Sequence, residues 1–229
     1  MMNLMNMMNT WRNEEEDEVE DDDEEEQSEK KRKRKIDHSE NDVLLVVKML
    51  LDTIFGDTKL KWKSGEKTTD ATKRARIVGQ LLSRGTSCSN LMGRRSDLVL
   101  YNKSNVVLCL SELKDGNSES NSIKQEAKSL RCSKSLLSYN KPFSQKDIWS
   151  LDWNGFSGYT YYLKSYNDVT VVLPGRSLSI PLVKDSIDDF EDTLIALYEF
   201  KEHMLEYDHS LSQEFTASMS DELKVYHSP

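Results

Sequence analysis

The chain has 229 residues, of which 37% are hydrophobic and 31% charged, with a formal net charge of −9. That length fits one large domain with a tail, and the composition is more polar than that of an average globular protein. Three cysteines and four histidines without CxxC or HxxxH spacing exclude a disulfide scaffold and argue against a Cys/His zinc site, while the longest apolar runs, Val43–Val47 and Val106–Leu110, are too short to span a bilayer.

The Met-rich start has no basic stretch leading into a long apolar one, so it does not read as a secretory signal. A soluble, intracellular, reduced protein without a membrane role is expected.

Charge is segregated along the chain. Residues 1–35 hold thirteen acids, all within Glu14–Glu29, against seven bases, and residues 36–58 hold five acids and one base. Residues 59–146 reverse the sign, with eighteen bases and seven acids, before residues 147–229 return to fifteen acids and five bases. A basic module thus lies between acidic flanks, and such a field attracts polyanions even when the whole chain is acidic.

Residues 1–40 read as a disordered tail, because a run of like charge has nothing to bury. Lys30, Lys31, Arg32, Lys33, Arg34 and Lys35 are six adjacent bases. They read as a nuclear localisation signal suited to an import receptor's acidic grooves, which points to the nucleus. A counter-charge folded back on the acidic run is the plainer alternative.

A folded domain is expected over residues 41–209 and a flexible polar tail over 210–229. Val43–Phe55 is an apolar stretch of helix length, with Asn41 or Asp42 as its cap and Gly56 after it. Residues 57–70 read as a loop, Thr72–Ser83 as a basic helix with Ile77, Val78 and Leu81 on one side, and Arg84–Arg95 as a loop. Asp97–Tyr101 and Asn105–Leu113 read as a β-hairpin around Asn102-Lys103-Ser104. The continuously apolar Val106–Leu110 suits a strand buried on both faces. After a polar loop, Ser122–Leu137 reads as a helix with Ile123, Ala127, Leu130 and Leu137 on one face. Tyr159–Tyr166 and Val169–Leu173 form a second expected hairpin, ended by Pro174-Gly175. Ser186–Tyr207 is the clearest helix, with Ser186 as cap and Ile187, Phe190, Leu194, Leu197, Phe200 and Met204 as its stripe. The class is α/β, a small mixed β-sheet flanked by helices.

The chemistry concentrates in Gly93–Gly116. In an antiparallel hairpin the start of one strand lies beside the end of the next, so Asp97 meets Glu112. Glu112 and Lys114 are two apart on a strand and point to one face. Two carboxylates hold Mg²⁺ with water and phosphate oxygens completing the shell, and a lysine can orient the attacking water or stabilise the transition state. The following helix adds Gln125, Lys128 and Arg131 at three-residue spacing, which puts them on neighbouring turns.

The order Asp97…Glu112-x-Lys114 followed by a helix with Gln125 resembles the PD-(D/E)xK nuclease superfamily. The resemblance covers about residues 43–173, and the segment is also similar to fungal proteins that share this core. It implies a restriction-endonuclease-like core ordered α-β-β-β-α-β, and a nuclease dependent on Mg²⁺ or Mn²⁺. Asp97, Glu112 and the Leu113 carbonyl would be metal ligands, Lys114 the catalytic lysine and Gln125 the helix motif. Two departures stand beside it. Ser96 takes the place of the family's proline, and the acid often carried by the first helix has only Glu40, Asp52 and Glu66 as poorly placed candidates.

Arg94, Arg95, Lys124, Lys128 and Arg131 are the expected grips on a nucleic-acid backbone, DNA before RNA, and such contacts carry no sequence preference. Simpler readings exist for each feature. Asp97 could merely open a strand, and Glu112 with Lys114 could be a surface ion pair. Cys109 reads as core, Cys88 and Cys132 have no evident base, and His203 and His209 read as solvent-facing. The aromatics Trp149, Trp153, Phe156, Tyr159, Tyr161 and Tyr162 read as packing before base stacking. A catalytically inactive nuclease-fold protein, binding nucleic acid or basic proteins in the nucleus, is the alternative function.

Overall fold

The computed structural model describes residues 39–84, 92–114, 119–141, 147–167, 169–182 and 187–226. The tail with Lys30–Lys35, Cys88 and Ser186 lie outside the described residues. In chain order the elements are α1 (Glu40–Ile54), β1 (Lys61–Thr68), α2 (Asp70–Arg84), β2 (Arg95–Tyr101), β3 (Val107–Ser111), β4 (Leu113–Lys114), α3 (Glu119–Asn140), β5 (Ile148–Asn154), β6 (Ser157–Tyr166), β7 (Val169–Ser179) and α4 (Asp189–Tyr226). The protein is α/β, with two sheets where one small sheet is expected: β1-β2-β3, antiparallel throughout, and β4-β5-β6-β7, with β4 and β5 parallel. Among the described residues no helix is long and apolar enough to cross a membrane.

α1 starts earlier than its apolar run suggests. Its cap is Ser39, whose hydroxyl accepts the Asp42 N–H while the Asp42 carboxylate takes the Ser39 N–H at 3.0 Å, so Asp42 is the cap's reciprocal partner. Val43, Val47, Leu50, Leu51 and Ile54 bury its inner face. The expected loop over 57–70 contains β1 instead. In KWKSGEKT only Trp62 is buried, so a strand on the edge of its sheet carries almost no apolar signal. A bulge separates Ser64 from Lys67, with Gly65 and Glu66 at positive φ.

The first hairpin forms. Leu98 pairs with Ser111, Val99 with Leu110 and Leu100 with Cys109. Leu108, Cys109 and Leu110 are buried while Val106 is exposed, so burial begins two residues into the apolar run. The expected strand to Leu113 is broken at Glu112. β3 ends at Ser111 and β4 begins at Leu113, yet the Glu112 carbonyl still accepts the Trp153 N–H at 3.0 Å. That bond carries the chain from one sheet into the other.

The remaining differences have physical causes. β5 escapes a periodicity reading because IWSLDWN is buried along most of its length and alternates apolar side chains with Ser150 and Asp152. β7 continues through Pro174-Gly175 to Ser179, since an edge strand tolerates the missing N–H, and a side chain at Gly175 would strike Thr160. α3 meets its expected face in part, with Leu137 buried and Leu130 packed against the core. Ile123 is 68% exposed, and the buried positions are Ser129, Cys132, Ser133, Leu136, Leu137 and Asn140. On α2, Val78 and Leu81 are exposed, so its apolar side is not a core face. α4 runs on to Tyr226, past the expected end near Tyr207, and Ile187 at the head of the expected stripe is exposed.

Two packings place the site. Phe55, Trp62 and Phe200 form an aromatic cluster, with Phe55 edge-on to Trp62 at 5.9 Å and Trp62 stacked on Phe200 at 6.4 Å. His203 is half-buried rather than solvent-facing, because its ring stacks on Trp149 at 4.6 Å. Trp149 in turn stacks on Tyr162 at 5.3 Å, so these aromatics pack within the fold. Trp149 and Ser150 are adjacent on β5 and point to opposite faces, so α4 covers one face and α3, through Ser133, the other.

Candidate active site

The break between β3 and β4 assembles the site. Extending the register of Leu98 with Ser111 by one step sets Asp97 opposite Glu112. With the strand interrupted there, the Leu113 N–H turns to the Asp97 carboxylate, donating to Oδ2 at 2.8 Å. Gly93 positions the approach to β2. A Cβ there would meet Thr72 Oγ1 at 2.6 Å and the Lys73 nitrogen at 2.8 Å, so only glycine passes this close to α2. The Thr72 hydroxyl then donates to the Arg94 carbonyl at 3.0 Å.

Glu112 is 1% exposed. Its Oε2 accepts Lys128 Nζ at 2.5 Å and Gln125 Nε2 at 3.3 Å, both from α3. The same Gln125 amide donates to the Leu113 carbonyl at 2.8 Å. Glu112 Oε1 is buried with no hydrogen-bond partner among the described residues. Burial, reinforced by the nearby Asp97 charge, pushes the Glu112 carboxyl up to about 8, with Lys128 opposing. Lys128 is pushed above its ordinary value: burial lowers it, but Glu112 and Asp97 outweigh that.

A second buried acid supports this one. Asp152, on β5, accepts the Glu112 N–H at 3.1 Å and the Ser129 hydroxyl at 2.8 Å on Oδ1. Ser129 lies 2.6 Å from the Tyr161 hydroxyl, which lies 3.2 Å from Ser133, itself 2.9 Å from Ser150. Asp152 Oδ2 has no partner among the described residues. Burial raises this carboxyl to about 7, although the Ser129 and Glu112 hydrogen bonds hold it down. Sequence reasoning passes over Asp152 because β5 does not read as a strand. The available signal is an acid inside a seven-residue run otherwise rich in large apolar side chains.

The expected residues separate into two groups. Asp97, Glu112, Leu113, Gln125 and Lys128 converge. Lys114, two residues past Glu112, is half-buried in β4 and forms no ion pair among the described residues. Lys128, expected on phosphate, instead neutralises Glu112. Arg95 pairs with Glu66 on the surface at 2.5 Å. Arg94 is near enough to lower the Cys132 thiol, although burial and Glu112 lift that thiol to about 11 overall. Lys124 and Arg131 are exposed on α3. Glu66 lies on β1, and Asp52 pairs with Lys48 on α1. Cys109 and Cys132 are both buried, so neither presents a nucleophile.

The donor set suits a hard cation. Two carboxylates and the Leu113 carbonyl are oxygen ligands of the kind Mg²⁺ takes, and the unpartnered Glu112 Oε1 is an acceptor without a donor. Among the described residues no three His, Cys, Asp or Glu side chains converge as a metal cage. An ion here would therefore keep waters or phosphate oxygens in its shell. No family model, curated protein or solved structure matches the chain.

Proposed function

We propose that the chain is a divalent-metal-dependent nuclease of the PD-(D/E)xK kind, hydrolysing phosphodiester bonds of nucleic acid, DNA in preference to RNA. The element order supports the fold side of this reading. With β3 and β4 taken as one strand, α1, β1, β2, β3/β4, α3 and β5 follow the α-β-β-β-α-β order that the resemblance implies, with α2 inserted after β1. β5 is parallel to β4 while β1, β2 and β3 are antiparallel.

The observation that carries the function is the burial of Glu112 beside Asp97, with its Oε1 unpartnered. A buried carboxylate next to a like charge costs stability, and such groups concentrate at functional sites. Asp97, Glu112 and the Leu113 carbonyl would hold Mg²⁺ or Mn²⁺, which supplies an activated water and neutralises phosphate charge. Gln125 fixes the Leu113 carbonyl and Glu112 relative to each other. Lys128 balances the charge of Glu112. Lys114 orients the attacking water, and Arg94, Lys124 and Arg131 grip the backbone.

One observation favours the alternative of a nuclease-fold protein that binds without turnover. Lys128 already neutralises Glu112 from inside, and among the described residues no third acid completes a metal cage with Asp97 and Glu112. The test is cleavage of supercoiled plasmid and single-stranded DNA by the full chain with Mg²⁺ or Mn²⁺. Wild type should cut, and Glu112→Gln/Lys114→Ala should lose about 10²-fold or more of the rate. Salt-sensitive DNA binding without cleavage by wild type would select the binding module.

Nuclear residence belongs to the same proposal and is supported by the six bases Lys30–Lys35. Replacing all six by Ala in a fluorescent fusion should release it from the nucleus, and unchanged nuclear signal would remove this part of the reading.

A further inference from the structure

At the other end of β2 from Asp97 lies an open cleft of about 500 Å³. Lys59, Lys61, Lys63, Tyr101, Lys103 and Asn105 are among its lining residues. All four lysines are exposed, and no acid lines the cleft among the described residues. Lys63 is held in place twice, over the Tyr101 ring at 4.4 Å and to Asn105 Oδ1 at 3.2 Å. Asn105 is itself fixed at the hairpin turn, with φ at 60° and its N–H on the Asn102 carbonyl at 3.0 Å. Asp208, the acid that approaches from α4, is taken up by the Asn102 amide at 2.7 Å.

Four like charges around one concavity repel one another, and the arrangement is relieved by a polyanion. The surface ion pairs elsewhere join Lys48 to Asp52, Arg95 to Glu66, Lys164 to Asp147 and Arg176 to Glu199. Lys59, Lys61, Lys63 and Lys103 have no such pair among the described residues.

We infer that this cleft is a second, catalysis-independent contact for the phosphates of nucleic acid. The choice of nucleic acid as the polyanion rests on the nuclease reading; the anion site does not. The ladder ties the two places together. Lys61 pairs with Tyr101 and Lys63 with Val99, so both lysines share the sheet face of Asp97. Asp97 and Tyr101 are four residues apart along β2, about 13 Å at strand rise. That is about four rises of one strand of B-form duplex, at roughly 3.4 Å per phosphate. Val99, between Asp97 and Tyr101 on that face, is fully buried, so nucleic acid would not lie flat along β2 but would reach the two places with separate phosphates.

The experiment measures DNA affinity of the full chain against salt in EDTA, where no cleavage occurs. Lys61→Ala/Lys63→Ala/Lys103→Ala should weaken binding at least tenfold at low salt and flatten the log–log salt slope by about 2–3. Lys48→Ala/Lys164→Ala, which removes charge elsewhere, should leave the slope within about one unit of wild type. An unchanged slope in the triple variant, an equal loss in the control, or no DNA binding by wild type would each overturn the inference. Cleavage separates it from the nuclease reading. A chain that never cuts but whose slope depends on these lysines keeps the cleft and loses the nuclease. A chain that cuts with a slope indifferent to them does the reverse.

Discussion

Trp149 and Ser150 are neighbours on β5, and their side chains leave for opposite sides of the sheet. Trp149 stacks on His203 of α4, while Ser150 hydrogen-bonds Ser133 of α3. The two sides are filled by different chemistry. Toward α1 and α4 the interior is Val47, Leu51, Phe55, Trp62, Leu197, Phe200 and Met204, all buried. Toward α3, Cys132, Leu136 and Leu137 share the interior with Glu112, Asp152, Ser129, Ser133, Ser150 and the Tyr161 hydroxyl, buried just as deeply. Apolar burial contributes directly to stability, whereas buried polar groups contribute only when every partner is met. On the α3 side the carboxylate oxygens Glu112 Oε1 and Asp152 Oδ2 have no partner among the described residues, whereas toward α1 and α4 the Trp62 indole N–H is unpartnered but neutral, so the α3 side carries the larger cost. The apolar side stabilises the fold, and the polar side exploits that stability to hold charge out of water.

The largest effect that would break this contrast is on the apolar side. Phe200 is fully buried, 6.2 Å from Phe55 and 6.4 Å from Trp62 between ring centroids. Phe200→Ala should cost about 3–5 kcal/mol in urea unfolding, through lost contact and the cavity left behind. Cleavage per folded molecule should be unchanged. A loss below about 1 kcal/mol would mean that α4 is not a structural support of the sheet.

The next effect sharpens the contrast through pH. Burial raises Glu112 to about 8 from an ordinary 4.5, and Asp152 to about 7 from 3.8. A group whose folded pKa is raised binds more protons folded than unfolded. The stability tied to those protons is therefore complete at low pH and is lost as pH rises from about 4 through about 8. Asp57 opposes this at the acid end, because its hydrogen bond to Lys201 lowers its carboxyl and that contribution is lost as pH falls. Between pH 5 and 8 the metal-free protein should lose stability steadily as Glu112 and Asp152 ionise. Glu112→Gln/Asp152→Asn should lack that loss and be the more stable protein at pH 8, with cleavage abolished. Identical pH slopes for the two proteins in urea unfolding would refute the assignment of cost to the polar side.

The same contrast explains what was legible in the sequence. The first hairpin shows because Leu98–Leu100 and Leu108–Leu110 are apolar runs joined by a polar turn, and its register alone predicts that Asp97 faces Glu112. α1 shows because its buried face is wholly apolar. Of the elements that face the polar interior, α3 and β6 show and β5 does not. β5 alternates Ile148, Ser150 and Asp152 with Trp149, Leu151 and Trp153, so periodicity reports neither a half-buried strand nor a uniformly apolar one. Asp152 is missed with it. β1 is hidden for another reason, since an edge strand needs one buried anchor and has only Trp62. The pairing of Lys128 with Glu112 depends on the pitch of α3 over the sheet, which three-residue spacing does not determine.

The smallest effect tests that pitch. The apolar pattern of α3 proposes Ile123 for the core, yet it is 68% exposed, and Ser129 and Ser133 occupy the inward positions with Cys132 and Leu136. Leu130, Leu136 and Leu137 face the core as hydrophobicity asks, and Ile123 is left outside it. The same orientation brings Gln125 and Lys128 to Glu112 and Ser129 to Asp152, which together satisfy acceptors that would otherwise be stranded. An apolar side chain left in water to satisfy buried acceptors is a trade the energies allow. Exposing one isoleucine forfeits about 1.5–3 kcal/mol, while a buried carboxylate without partners costs more. Ile123→Gln should therefore change unfolding free energy by no more than about 0.5 kcal/mol. A loss of 2 kcal/mol or more would place Ile123 inside, rotate α3, and take Lys128 away from Glu112.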